Sequence, residues 1–552
     1  MLELKDLSYR YKGRTEYTLH HVFLSLEAGG MLLLAGRSGC GKSTLLKLIS
    51  GLAAGTEEGS RSGTISWNGE DMTDWPPERI GLLAGTVYQT PDDQLFAMTV
   101  EDEVGFALEN QGEDPDAIRE KVGRILALTG LAGLEKRGIH QLSGGQRQRM
   151  ALASVLITKP KLLLLDEPVS QMNPQGVRDF MDLLLRLNRE EGIAILMVEH
   201  RVNELARYFS RLAVMQAGRI VYDGSMEKAW PFLTGKEDMG LREPQCVKLG
   251  RLLHLPRLTW DVTATTEEIR QHCDWNGSVR PVTDDGCAGS AAPLVEASHV
   301  YYCYPGMAED VLKDISFTLR SGEITALMGF NGAGKSTLLN LLGGLTRPSS
   351  GSLLLDGRDI AGEGGNVGYL LQEPDLMLLA DTVWEELKWK NKGLTDGEAR
   401  HLLQRLHLEG MEEDFPLAIS KGQRLRVVLG SFLARRPKLL LLDEPTTGQD
   451  EQSLREIEAL LLQYRSEGGS ILLCTHDVEL AACIADQVLL LKEGRILAEG
   501  SAETVLSQRP LLTEGGLVAP PVLAVSEHLG IPSCITLKEV CRYVSPAIMG
   551  RR

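Results

Sequence analysis

One nine-residue pattern occurs twice in the chain, and no other feature constrains the fold as strongly. GRSGCGKST, Gly36 to Thr44, and GFNGAGKST, Gly329 to Thr337, both fit GxxxxGK[ST]. Each follows a short apolar run (MLLLA, ITALM) and precedes an amphipathic pattern, so each reads as strand, tight loop, helix. In that setting glycines let successive backbone N–H groups turn toward phosphate oxygens, and the following helix offers its N-terminal dipole to the same anion. Lys42 and Lys335 suit the terminal phosphates of a nucleotide, and the hydroxyls of Ser43 and Ser336 suit Mg²⁺. The cradle is Gly36, Ser38, Gly39, Gly41, Lys42, Ser43 and Thr44 in the first copy, and Gly329, Asn331, Gly332, Gly334, Lys335, Ser336 and Thr337 in the second. A Gly-rich turn with a chance Lys-Ser accounts for one match, not for two in register.

The repeat extends well beyond these loops. KPKLLLLDEP, Lys159 to Pro168, returns as RPKLLLLDEP, Arg436 to Pro445. The loop lysines are 293 residues apart and the LLLLDEP segments 277, so the second copy is sixteen residues shorter between them. We expect the loss around Glu57 to Ala84. EPQCVKLGRLLHLP, Glu243 to Pro256, resembles PPVLAVSEHLGIP, Pro520 to Pro532, and TTEEI, Thr265 to Ile269, resembles TLKEV, Thr536 to Val540. Each copy therefore ends in a small helical appendix. The expected organisation is a first domain at 1–225, its appendix at 226–275, a linker at 276–293 rich in Asn, Gly, Ser, Asp, Ala and Pro, a second domain at 294–503 and its appendix at 504–552. The LLLLD runs read as buried parallel strands, giving an α/β class.

Composition narrows the function. With 58 Lys+Arg against 75 Asp+Glu, 552 residues carry a formal charge of −17, which argues against a nucleic-acid platform. The longest apolar runs, Leu162 to Leu165 and Leu439 to Leu442, fall far short of the roughly 20 residues that cross a bilayer, and the N-terminus lacks a signal-like apolar stretch. Nine cysteines with no CxxC pair suggest neither a disulfide framework nor a zinc site, so a reducing cytoplasm is expected.

The LLLLD strands end in Asp166-Glu167 and Asp443-Glu444. Behind a phosphate loop, such a pair delivers one carboxylate to a Mg²⁺ shell (Asp166, Asp443) and leaves the other to act as general base on water (Glu167, Glu444). Some twenty residues earlier the first copy reads LSGGQ, Leu142 to Gln146. LSGGQ between a phosphate loop and LLLLDEP resembles the signature of the ABC ATPases, and the resemblance covers nearly the whole chain as two tandem P-loop NTPase domains, each with a helical subdomain. It implies that Gln89 and Gln372 are the Q-loop glutamines, which also approach the metal, that His200 and His476 are the switch histidines, and that Tyr11 and Tyr304 stack on adenine. Ser143, Gly144, Gly145 and Gln146, with Ser420, Gly422 and Gln423 of ISKGQ, would contact ATP as signature residues.

QTPDDQLFAMTVEDEVGFALEN, Gln89 to Asn110, is similar to the Q-loop segment of energy-coupling factor (ECF) importer ATPases; the second copy, Gln372 to Asn391, keeps the outline. The appendices resemble the dimer-assisting region of the same group. This implies an ATPase peripheral to the cytoplasmic face of the membrane, energising vitamin or transition-metal uptake through a transmembrane coupling subunit and a small membrane substrate-binding subunit. The acids Glu101, Asp102, Glu103, Glu385 and Glu386 are then candidates to receive basic coupling helices. They also read as ordinary first-turn acids after the N-caps Thr99 and Thr382, and the two readings are compatible.

In this family the two domains pair head to tail within the chain. The Lys335 site would face LSGGQ and the Lys42 site ISKGQ, where Lys421 stands in place of Gly144. Faster hydrolysis is expected at the Lys335 site, although the first copy's departing loop, SQMN at Ser170 to Asn173 against TGQD at Thr447 to Asp450, belongs to that same site. A two-domain ABC protein acting on ribosomes is the alternative, but it needs a long charged interdomain arm, and Pro244, Pro256, Gly277, Pro281 and Gly286 interrupt that region. A fused sugar-importer ATPase would carry a degenerate second phosphate loop, and a DNA-repair ATPase a coiled-coil insertion.

Overall fold

The computed structural model describes residues 1–53, 59–170, 172–236, 239–276, 292–306, 309–360, 366–389, 391 and 393–546. The chain divides into two compact units, Met1–Val247 with Leu258–Trp260, and Lys248–Arg257 with Asp261–Arg552.

The first unit is built on a six-stranded sheet in the order Arg219–Ser225, Arg211–Gln216, Met31–Gly36, Ala194–Val198, Leu162–Asp166, Ala84–Val87. Every neighbouring pair is parallel except the edge hairpin of the first two strands. The LLLL run is continuous because both sheet faces are covered: Leu163 and Leu165 join the core with Phe180, Met181 and Leu184 of helix Pro174–Glu191. Leu162 and Leu164 point the other way, toward Leu45 and Leu48 of helix Lys42–Ile49 and toward Leu2 and Leu4 of an antiparallel sheet. That second sheet has the order Leu19–Leu26, Leu2–Tyr11, Gly59–Trp67, Glu70–Asp71. Helices Val100–Asn110, Pro115–Thr129 and Gly144–Leu156 form a separate subdomain around Val104, Leu108, Val122, Leu126 and Met150.

The second unit repeats both sheets with identical strand order. Its counterpart of helix Val100–Asn110 is the six-residue helix Val383–Lys388. From the loop lysine to the Q-loop glutamine the spacing is 47 residues in the first copy and 37 in the second. Ten of the sixteen missing residues therefore leave ahead of the glutamine, where the first unit carries helix Pro77–Leu83, and six leave in the helical subdomain. The expected place, Glu57 to Ala84, accounts only for the larger part; Glu57 itself and residues 361–365 lie outside the described residues.

Within the second unit, the tails that follow the two copies lie together. Helix Val262–His272 packs on helix Pro521–Leu529, and the three-residue strand Cys273–Trp275 pairs antiparallel with Val544–Pro546. The Arg270 guanidinium donates to the His528 carbonyl. Residues 277–291, nearly all of the expected linker, lie outside the described residues.

Candidate active site

Each phosphate loop is shaped by where a side chain cannot fit. Gly41 and Gly334 cap the following helices with left-handed backbone, φ +109° and +100°. A Cβ there would come within 2.8 Å of Leu19 Cδ2 and 2.7 Å of Leu312 Cδ2. At Gly36 and Gly329 it would stand 2.2 Å from the Met215 carbonyl oxygen and 2.1 Å from that of Leu491. Lys42 Nζ donates to the carbonyls of Gly36 (2.8 Å) and Arg37 (2.9 Å), and Lys335 Nζ to those of Gly329 and Phe330 (both 2.9 Å). Both lysines are buried, while Ser38, Gly39, Ser43, Asn331, Gly332 and Ser336 are open to solvent, where a ligand would reach them. Tyr11 and Tyr304 are tied to the same loops, each hydroxyl 3.1 Å from that of Thr44 or Thr337.

Asp166 and Asp443 end their strands beside Ser43 and Ser336, whose hydroxyls hydrogen-bond them. Burial pushes both carboxyls above the usual range, with Glu167 adding to the rise at Asp166, and the serine bonds and Lys42 or Lys335 hold it back. A hydroxyl and a carboxylate form a hard-oxygen set that fits Mg²⁺, and a cation there would offset the desolvated charge.

The next residue is strained in both copies. Glu167 and Glu444 occupy left-handed backbone, φ +47° and +50°, where a non-glycine residue is held only by its surroundings. Gln89 Nε2 donates to Glu167 Oε2 at 2.7 Å, and His200 Nε2 lies 2.9 Å from Glu167 Oε1. Gln89 thus contacts the glutamate rather than the Ser43–Asp166 pair. In the second unit the other histidine nitrogen makes the contact: His476 Nδ1 is 2.8 Å from Glu444 Oε2, and Thr447 Oγ1 donates to the same oxygen at 3.4 Å. Burial works to raise Glu444, but the charge and hydrogen bond of His476, with Lys335, outweigh it and hold the carboxyl below its ordinary value.

The signature segments cap helices Gly144–Leu156 and Lys421–Leu433. Ser143 with Gln146 and Ser420 with Gln423 form reciprocal capping boxes. Gly144 and Gly145 take no left-handed backbone, so Lys421 keeps the helix start intact; what it changes is a side chain, not a backbone conformation. A Cβ on Gly422 would meet Ser453 Oγ at 2.7 Å and Gln449 Oε1 at 2.9 Å, which explains the glycine retained there.

The acids after each Q-loop divide. Glu103 and Glu386 are buried, and each accepts two backbone N–H groups with one oxygen: Phe96 (3.0 Å) and Ala97 (2.8 Å), or Leu379 and Ala380 (both 2.8 Å). They build the turn and are withdrawn from any partner. Glu101 pairs with Lys136, and Asp102 accepts from Thr99 Oγ1 at 2.5 Å. Large apolar side chains stand out instead, Phe96 at 64% and Met98 at 78% exposed, with Leu376 and Leu379 at 69% and 61% in the second unit.

Two residues flanking His200 escape motif reasoning. Glu199 is buried and accepts from Val169 N (3.2 Å) and His200 N (3.1 Å); Arg201 donates to the carbonyls of Val169 (2.9 Å) and Met172 (3.3 Å). The only signal was that MVEHR and CTHD disagree on both sides of the histidine.

A family model for the ABC transporter matches residues 19–170 and 312–447. A protein of Methanosarcina mazei named "Putative ABC transporter ATP-binding protein" is 36% identical over 550 residues, covering 96% of this chain and 94% of its own. The chain belongs to the ABC transporter family. Its two ABC regions are ATPase domains, which bind ATP and couple its hydrolysis to transport. A Bacillus subtilis ABC relative, "Putative HMP/thiamine import ATP-binding protein YkoD", is 34% identical, covering 95% of each chain. Among solved structures, cbiO1 from Clostridium perfringens, described as part of the ABC transporter complex cbiONQ, is 30% identical with a TM-score of 0.37, covering 43% of this chain and 99% of its own. No helix among the described residues of this ABC protein is long and apolar enough to cross a membrane.

Proposed function

We propose that the chain is the motor of an ECF-type importer, docked on the cytoplasmic face of the membrane against a transmembrane coupling subunit and a small substrate-binding subunit, and driving uptake of a vitamin or transition-metal ion. The observation that carries this reading is the apolar surface beside each Q-loop. Phe96 and Phe106 meet edge to face at 4.6 Å, with Met98 beside them in sequence, and Leu376, Leu379 and Trp389 occupy the corresponding segment of the second unit. Exposed apolar clusters of this kind mark contact surfaces. The B. subtilis relative named for HMP/thiamine import supports the direction of transport.

The two domains pair head to tail, and each ATP lies between one phosphate loop and the other signature. Loop N–H groups and Lys42 or Lys335 hold the phosphates; Mg²⁺, held by Ser43 and Asp166 or Ser336 and Asp443, would neutralise charge on them. Glu167 or Glu444 takes the proton of the attacking water, oriented by His200 and Gln89 or by His476, with Gln372 in Gln89's role. The Lys335 site turns over faster, because the Lys42 site faces Lys421.

Affinity purification of the tagged protein from its native membranes tests this. Small hydrophobic membrane proteins should co-purify in stoichiometric amount; ribosomal subunits in their place would replace the reading with the ribosome-acting alternative.

A further inference from the structure

The turn that follows Glu167 is held at both polar groups of one residue. Val169 is fully buried; its N–H is bound by Glu199 and its carbonyl by Arg201, which also reaches the Met172 carbonyl. Glu199 and Arg201 are the two neighbours of His200, and Glu199 accepts the His200 N–H with its other oxygen. Arg201 is itself fixed by Glu204, whose carboxylate receives Nη2 at 2.6 Å and Nε at 2.9 Å. The switch histidine, the glutamate it touches and the loop beyond that glutamate are therefore connected by direct bonds.

The second unit has Thr475 and Asp477 at these places. Thr475 Oγ1 accepts from Asp477 N at 3.1 Å, and Asp477 caps the next helix through Leu480 N, also 3.1 Å. Neither residue is a cation, so among the described residues no guanidinium at these places mirrors Arg201.

We propose that Glu199 and Arg201 are positioning residues of the first ATP site, which lock Val169 and Met172 to His200 so that the switch histidine and these two residues move as one body, in the first copy only. A buried carboxylate and a guanidinium placed on opposite sides of one peptide residue give a directional hold that packing alone would not. The inference concerns bonds within one copy and stands whether or not the two domains pair head to tail.

The test uses the full-length protein and two readouts. Glu199→Thr and Arg201→Gln remove the two halves separately, and Arg201→Lys retains a cation. Hydrogen–deuterium exchange should speed up, by about tenfold at Val169, in peptides covering 168–173 of Glu199→Thr, while peptides covering 445–450 keep their rate. With Glu444→Gln added to silence the second site, the residual steady-state ATPase should lose several-fold in kcat, with KM for ATP within about twofold, and Arg201→Lys should recover part of the loss. Unchanged exchange at 168–173, or a lowered Tm with unaltered kcat, would overturn the proposal. Should Glu199→Thr not fold, Arg201→Gln carries the same two readouts.

Discussion

Gln89 donates its amide to Glu167 across 2.7 Å, bridging the exit of one strand of the main sheet to the end of its neighbour. With His200 on the other carboxylate oxygen, Glu167 is bracketed by two side chains, whereas Glu444 is held by His476 and Thr447. Both glutamates are held by the switch histidine, through different ring nitrogens and with a different second partner.

Glu444→Gln should reduce ATPase by about a hundredfold, because it removes a proton acceptor held ionised by its histidine. Glu167→Gln should leave a measurable fraction. Turnover of the two purified variants decides; equal losses would end the idea of asymmetric sites.

Gly329→Ala should abolish ATP binding at the second site and lower stability, since its Cβ would lie 2.1 Å from the Leu491 carbonyl oxygen. A destabilisation of about 2 kcal/mol or more is expected from a backbone clash that nothing nearby can relieve. Denaturant melts and nucleotide titration measure both effects.

Glu199 is pushed up to about 7 from 4.5, mainly by burial and secondarily by Glu167. Raised in the folded state, the group contributes stability that is full below its unfolded value and is lost as pH rises toward 7. Glu199→Gln lacks this titration, so the gap between its Tm and that of the unaltered protein should shift in favour of the variant between pH 5 and pH 8. A gap that stays constant across that range would contradict it.

Phe96→Asp with Met98→Asp should prevent assembly with membrane subunits while ATPase of the isolated protein stays within about twofold, because both side chains already face water. Co-purification from membranes and a turnover assay read the two effects separately.

Cys40 lies buried in the first phosphate loop with its sulfur 4.0 Å from Lys42 Nζ. Alkylation there should be slow, further slowed by ATP, and absent in Cys40→Ala; mass spectrometry of labelled peptides follows it.

The sequence disclosed what is repeated and local. Both loops, both Asp-Glu strand ends and both capping serines are fixed by short-range chemistry, and they stand where the motifs place them. What it hid depends on contacts between segments far apart. Glu103 and Glu386 read as exposed first-turn acids until the preceding turn is seen folded over them. The hold of Glu199 and Arg201 on Val169 spans about thirty residues, and no spacing rule predicts it.

The ladder between Cys273–Trp275 and Val544–Pro546 has a consequence for synthesis. Its strands are separated by some 270 residues, so the earlier one leaves the ribosome long before its partner exists. At elongation rates of roughly 5–20 residues per second, that strand edge waits tens of seconds for closure. The second unit is thus completed only once Val544–Pro546 has emerged, and a nascent chain stalled before Val544 would expose an unpaired edge to protease.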